Sequence, residues 1–477
     1  MDATDGRTDG GTADRDARPA AVDAGVSFFD GGGGPYEPDC ERRVAARPAD
    51  PRIGTAAIVL DPSLTDATRA AFCTGSGGVL ADIGPESTRL TGQQCRGRLA
   101  REAFRFGVCS CTDLVVHEEA RGDGSIAANG AFRAAGARLG QVVVGGCGGI
   151  DVGASLTVAS NVETNGPLAM MSLEVGRDLW VASSATGAGR VDRTLYRSPE
   201  AVVAPSISVG GATMIGPVDV PPPCICDGSF VDDIGPAVDR VAASADERID
   251  TFVETMAHRT FTCGRYIWTA PQFPYYSEIE GRVVIAVRGD MIGSSGTVID
   301  LHDGSSLVLL VTGSLRPGGN LVVGGPPGVS FDAFIAGDVT QPEAGFTSTT
   351  FFGPTGGRWY IGGREVTTVG GTTVQAQVYA PNADFVVDHP DVSVSRQLSV
   401  SGSLVARSVR TDRLEVQAPA SPPDIGACDE PDVPCETCAD CAVDAACIAG
   451  ECGGCTSDAD CCGALICVAG ACVPFLF

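Results

Sequence analysis

A chain of 477 residues that is 44% apolar can fill a large core, and 63 glycines against an aromatic share of 6% favour strands joined by tight corners over packed helices. The formal charge of −26 includes no lysine, and an acidic chain without a basic stripe repels phosphate backbones, which sets nucleic acid aside as a partner. Residues 1–39 carry nine acids against three arginines and residues 424–477 carry ten acids and no base, so the two ends hold −16 of that charge.

In chain order, residues 1–39 hold almost no large apolar side chain before Phe28 and Phe29, and close on Gly31-Gly32-Gly33-Gly34. Such a segment cannot bury enough surface to offset its ordering entropy, and it reads as a disordered acidic spacer. Residues 40–107 predict a small mixed α/β cap: an extended run over 53–60, a helix near 64–72 opened by Asp61-Pro62-Ser63, and a second helix over 93–106 with Leu99, Ala103 and Phe106 on one face. Cys73 and Cys95 fall on or beside these two pieces and could staple them.

Strand-and-turn texture starts at Val108-Cys109-Ser110-Cys111, and 108–223 is assigned to a first β-solenoid segment. Ile150-Asp151-Val152 and Leu156-Thr157-Val158 begin six residues apart, as do Leu173-Glu174-Val175 and Leu179-Trp180-Val181, an interval that suits a solenoid corner. A hairpin reading competes, because Asn165-Gly166 also suits a two-residue hairpin turn. Pro221-Pro222-Pro223 ends this run, and 224–262 is a helical insert whose stripe of Val238, Val241, Ala245, Ile249, Phe252 and Met256 predicts an amphipathic helix over 236–257 covering an end or a flank of the sheet.

Residues 263–420 form the second solenoid segment, with short valine-rich strands such as 283–287, 307–311, 321–323, 374–379, 385–387, 398–400 and 414–416. At about 20 residues per coil, 281–417 would make six or seven coils rising roughly 30 Å. The ends of such a stack are open edges that need covering, and the cap, the helix and the cysteine-rich tail are the available covers.

Twenty cysteines divide into nine in the body (Cys40, Cys73, Cys95, Cys109, Cys111, Cys147, Cys224, Cys226, Cys263) and eleven in the tail (Cys428, Cys435, Cys438, Cys441, Cys447, Cys452, Cys455, Cys461, Cys462, Cys467, Cys472). That density points to disulfides formed in an oxidising compartment. Zinc is the alternative at Cys435-x-x-Cys438-x-x-Cys441 and Cys452-x-x-Cys455, but no histidine accompanies them and the adjacent Cys461-Cys462 pair favours disulfides. Both counts are odd, which predicts at least one bridge from body to tail, with Cys428 its candidate. No stretch approaches the roughly 18 uncharged apolar residues of a spanning helix. The opening Met1-Asp2-Ala3-Thr4-Asp5-Gly6 lacks a leader pattern, so export is expected through a signal peptide or lipid anchor not contained in this chain.

At Val378-Tyr379-Ala380-Pro381-Asn382-Ala383, followed by Val400-Ser401-Gly402-Ser403-Leu404-Val405-Ala406, the chain resembles β-solenoid domains of bacterial envelope proteins, similar to bactofilins and to domains that accompany pilus proteins. Gly264-Arg265-Tyr266-Ile267 partly matches that family's Gly-x-Tyr-Tyr entry, and 354–369 departs from its pattern, which leaves the number of coils open. The resemblance implies a right-handed parallel β-helix with a structural or surface role and no shared catalytic site. In the tail, Cys447-Ile448-Ala449-Gly450-Glu451-Cys452 recurs as Cys467-Val468-Ala469-Gly470-Ala471-Cys472, and this repeat resembles Dickkopf and knottin-like modules, in which cross-links replace a core.

A β-helix also carries carbohydrate-active enzymes, whose sites need carboxylates clustered on one face. The candidates here, Asp388-His389-Pro390-Asp391 and His117-Glu118-Glu119, read as solvated turns. His117, His258, His302 and His389 have no ligand spacing, and no regular glycine-aspartate repeat supports calcium at the aspartate turns. Gly145-Gly146-Cys147-Gly148-Gly149 imitates a nucleophile elbow, yet strands flank it on both sides, so Cys147 is expected in a structural disulfide. Arg121-Gly122-Asp123 and Arg288-Gly289-Asp290 imitate adhesion tripeptides and are expected by chance in a chain of this composition. The expectation is therefore a mainly β protein, a right-handed β-solenoid with one inserted helix and a disulfide-rich module, with a β-sandwich array as the rival. Its role would be that of a non-enzymatic envelope or surface protein, with a polysaccharide lyase or hydrolase as the alternative. No catalytic residue, metal or cofactor is expected. Its partners would be protein or cell-surface glycan, with self-association left open.

Overall fold

Short apolar runs cut by glycine, asparagine and aspartate corners leave each strand with unpaired N–H and C=O groups on two sides, which neighbouring strands must satisfy. In the computed structural model they are satisfied by strands one pass earlier and one pass later in the chain. The structure describes residues 40–41, 58–60, 64–74, 81–83, 103–251, 258–293, 295–341, 350–354, 356–388 and 396–418, with the backbone of four short strands between 446 and 474. The expected spacer over 1–39 and most of the cysteine-rich module lie outside the described residues.

Among the described residues thirty-four strands join one sheet, and its pairings are parallel. This overturns the sandwich rival, which requires antiparallel layers. Each pass contributes to three columns. In the first segment Leu114 pairs with Phe132, Phe132 with Ile150 and Ile150 with Leu168, a period of 18 residues. The six-residue interval seen in the sequence is the step from one column to the next within a pass. In the second segment Arg282 pairs with Ser306 and Ser306 with Ser330, a period of 24 rather than about 20. The extra residues sit in wider corners. Asn165-Gly166 is one of the corners, not a hairpin turn, because Val162–Thr164 pairs in parallel with both Gln141–Val144 and Leu179–Val181.

The order of strands in the stack is not their order in the chain. Ser403–Thr411 and Arg413–Val416, which close the second segment, pair in parallel with Val108–Ser110 and Leu114–Gly122, which open the first. One column therefore runs without a break through fifteen strands, from Glu247–Ile249 through Ser403–Thr411 and Val108–Ser110 to Thr213–Ile215. At about 4.8 Å per rung it rises roughly 67 Å. Gly107 lies against Val416, where an added Cβ would meet the valine Cγ1 at 2.5 Å, so a path from 417 to 107 would continue the stack directly. The chain instead enters and leaves at mid-stack, and internal segments form both ends.

From the last rung at 213–215 the chain returns along the outside of that column to the first rung at 247–249. This crossing segment, 216–246, contains the helix Val231–Ala243, which packs Ile234, Ala237, Val238 and Val241 on the sheet. The helix starts earlier and ends sooner than the periodicity predicts. Ile249, expected on its stripe, belongs to the strand Glu247–Ile249. Beside it lies the cap, where Ile58–Leu60 pairs antiparallel with Ala81–Ile83 and the helix Arg69–Thr74 buries Phe72. Together they cover the outer side of the column, so residues 283–287 and 307–311 are buried on both faces and read as unbroken apolar runs. The column of Gln397–Val400 and Arg413–Val416 faces solvent and alternates instead.

In the tail, Ala446–Ile448 pairs antiparallel with Glu451–Gly453, and Leu465–Val468 with Ala471–Pro474, setting Cys447 opposite Cys452 and Cys467 opposite Cys472. The two copies of the repeat adopt the same hairpin pairing.

Candidate functional site

The crossing segment is where most of the unusual chemistry collects. Cys109 and Cys111, on the first rung of the first segment, are bonded to Cys224 and Cys226 of the crossing segment. The former pair is buried, while Cys226 is exposed. Two asparagine side chains take the place of a neighbouring strand for this segment, which runs across the rungs and has no ladder of its own. Asn165 Nδ2 donates to the carbonyls of Val220 (2.7 Å) and Gly145 (2.7 Å), and its Oδ1 accepts from the Val220 N–H (2.8 Å). Asn129 repeats this on Cys224, donating to its carbonyl at 2.9 Å and accepting from its N–H at 2.9 Å. Ser198 Oγ accepts from the Val218 N–H. Tyr379, of the Tyr-Ala-Pro element, accepts from the Asp227 N–H at 2.9 Å and donates to the Asp227 carbonyl, and burial pushes its phenol well above the ordinary value.

At the far end of the helix Asp246 receives Arg265 through both carboxylate oxygens, and the same guanidinium donates to the carbonyls of Leu64 and Ala67 in the cap. Burial would raise the Asp246 carboxyl, but the hydrogen bonds and charge of Arg265 outweigh it and hold it below the usual range. Cys73 is bonded to Cys263 at this point, so it does not staple to Cys95 as the sequence suggested. Cys147 is bonded to Cys40, which makes the glycine-flanked cysteine a structural disulfide rather than a nucleophile.

The other sequence candidates are spread out. His117, Glu118 and Glu119 lie exposed at a corner, where Arg413 pairs with Glu118. Asp388 is exposed within the strand Gln377–Asp388, and His389, Pro390 and Asp391 lie outside the described residues. Arg121 pairs with Glu415, Gly122 presses on the Val416 carbonyl with φ +130°, and Asp123 accepts from the Ala418 N–H, so this tripeptide belongs to the seam. Arg288 pairs with Asp239 of the helix, and Asp290 accepts from the Ser314 N–H on the next rung. Among the described residues no group of three or more His, Cys, Asp or Glu is arranged to hold a metal ion.

Two groupings escaped sequence reasoning. Asp332 and Arg358, paired on adjacent rungs of the covered column, form an ion pair at 2.6 Å with both side chains 1% exposed. A lone charge inside one apolar run, Asp332, and another at the start of the next, Arg358, were the available signal. On the solvent-facing column near the first rung, Glu278 and Asp300 are also register partners. Tyr276 donates to Asp300 at 2.8 Å, Thr260 to Glu278 at 2.8 Å, and His258 Nε2 lies 3.2 Å from Glu278. The Thr260 hydrogen bond, with His258 beside it, holds the Glu278 carboxyl below its ordinary value. Residues 22 or so apart in the chain meet here only because the pass length brings them into register.

A model of a domain of unknown function, DUF7305, matches residues 227–419. The match begins within the crossing segment, just before its helix, and ends just beyond the rung that meets the first. No curated protein and no solved structure matches the chain. No helix among the described residues is long and apolar enough to cross a membrane.

Proposed function

We propose that this is a non-enzymatic, exported structural and interaction protein of the cell envelope or surface, built on a right-handed β-solenoid. The observation that carries the reading is the crossing segment, tied to the stack by two disulfides and by the Asn129 and Asn165 clamps. It spends buried polar groups and cross-links on fixing the stack rather than on lining a cleft. Four disulfides among the described residues suit an oxidising compartment outside the cytosol. Among the described residues the chain leaves the stack at its eighth rung of fifteen, so the path toward the cysteine-rich module starts at mid-stack.

A carbohydrate-active reading is favoured by one observation, the shared face of Glu278 and Asp300. A general acid, however, needs a carboxyl raised toward neutrality, and Glu278 is shifted the other way. The carboxyls that burial does raise, Asp151 and Glu163, stand in different columns. The test is to incubate the full chain with a panel of acidic and neutral polysaccharides and follow new reducing ends or unsaturated products, alongside fractionation of the producing cells. We expect no product and recovery outside the cytosol. Product formation abolished by Glu278→Gln or Asp300→Asn would sink the structural reading in favour of the enzyme.

A further inference from the structure

Stack order leaves the solenoid one weak point. Between other neighbouring rungs of the column the chain itself runs from one to the next, but Ser403–Thr411 and Val108–Ser110 meet without a peptide link. Hydrogen bonds hold this seam, among them Leu404 N–H to the Gly107 carbonyl (2.9 Å), Cys111 N–H to Ala406 (2.8 Å) and Glu118 N–H to Asp412 (2.8 Å). The ion pairs across it, Arg121 with Glu415 and Arg413 with Glu118, lie at the surface and add little.

The crossing segment straddles the seam in a single residue step. Cys226 is bonded to Cys111 at the ninth rung, and the next residue, Asp227, is held by Tyr379 on the seventh. From there the segment is embedded in the second half. Gly228 lies against Asn382, where an added Cβ would meet Nδ2 at 2.1 Å, and the Phe230 ring packs on Tyr360 and Tyr379 at 6.1 and 6.0 Å. While the Cys111–Cys226 bond stands, one peptide unit of about 3.8 Å is all the slack across the eighth rung. With it cut, the nearest tie is Cys109–Cys224, and the steps from 224 to 227 span about 10 Å, twice the rung spacing of about 4.8 Å. The other covalent crossing, from Cys40 on Cys147 to Cys73 on Cys263, is too long a chain to restrain the seam.

We propose that Cys111–Cys226 is a redox latch on the seam: a dithiol that reduces it lets the two segments part there and close again, with the rest of the stack intact. Cys226 is exposed and is the partner a thiolate reaches. Attack on its sulfur forms a mixed disulfide and expels the Cys111 thiolate, which takes a proton from water. The second thiol of the reductant then attacks the mixed disulfide and releases Cys226. Two electrons pass to the protein, which gains two thiols, and the reductant ends as a disulfide. Asn129 Nδ2, 3.6 Å from Cys226 Sγ, is placed to donate to the departing thiolate. Cys109–Cys224, buried beneath, keeps the crossing segment anchored, so the opening is hinged and reversible. This inference stands apart from the function proposed above and holds or fails without it.

The test uses the full oxidised chain. Dithiothreitol is dosed, with alkylation of samples, until Cys111 and Cys226 are labelled and Cys109 and Cys224 are not. Hydrogen exchange at amides that donate across the seam, those of Leu404, Val409, Thr112, Glu118 and Gly124, should then quicken about tenfold or more. Amides of 306–311 and 142–144, inside the two segments, should keep their rates, and reoxidation of an unalkylated sample should restore the seam. Cys111→Ser combined with Cys226→Ser should give the same pattern without reductant. Asn165→Ala, which loosens the crossing segment away from the seam, should not. Equal acceleration in every rung would make the pair a general stabiliser and overturn the proposal. So would unchanged exchange at the seam, or the same seam-selective opening from Asn165→Ala with the disulfide intact.

Discussion

At the scale of the residue, the side chains that matter most are those that replace a missing strand. Asn165 is nearly fully buried and satisfies three backbone groups that no ladder reaches. A buried donor or acceptor left unpaired costs about 1–3 kcal/mol, so Asn165→Ala should lower unfolding stability by about 3 kcal/mol in chemical denaturation. Asn165→Asp should recover little of it, since a carboxylate accepts from Val220 N–H but cannot donate to the Val220 or Gly145 carbonyls. Ser208→Ala, on the exposed face of the last rung, should change stability by less than about 0.5 kcal/mol. The sequence marks Asn165-Gly166 as a turn, and it is one. What it could not reveal is that the side chain reaches a segment 55 residues away, because local propensity says nothing about which backbone will cross a corner.

At the scale of the element, the crossing segment turns a one-sided sheet into a two-sided one. The apolar runs 283–287 and 307–311 were legible as strands, and their lack of alternation has its reason in the cover on both faces. The helix was legible too, through Val238 and Val241, but its ends were not. Ile249 continues the apolar period because it too packs inward, as a strand residue rather than a helical one. Its two disulfides differ in access. Under graded reduction with alkylation, Cys111 and Cys226 should be labelled well before the buried Cys109 and Cys224. Replacing Cys109 and Cys224 by alanine should destabilise the fold by about 2–5 kcal/mol, and labelling of the buried pair first would contradict the packing described for this segment.

At the scale of the whole molecule, chain order and stack order part company. Eight of the nine body cysteines pair with one another among the described residues. Cys95 is the one left over, and it and Cys428 both lie outside the described residues. If every thiol is oxidised, Cys95 must reach one of the eleven tail cysteines. The seam makes this feasible, since Gly107 and Val416 touch, so the chain leads to Cys95 and to Cys428 from neighbouring points. Peptide mapping without reduction should find Cys95 bonded to a tail cysteine. A free Cys95 thiol, or a loss of any of the four body pairs, would contradict it.

By itself the sequence determined the short strands and the existence of the crossing helix, because each depends on residues a few positions apart. Which rung meets which was decided only by the tertiary structure. The join of 403–416 to 108–122, the return of 216–246 along the flank and the register of Glu278 with Asp300 are long-range pairings, and every rung offers much the same hydrogen-bonding edge as every other. Local patterns specify such an edge, and only packing of the complete chain chooses its neighbour.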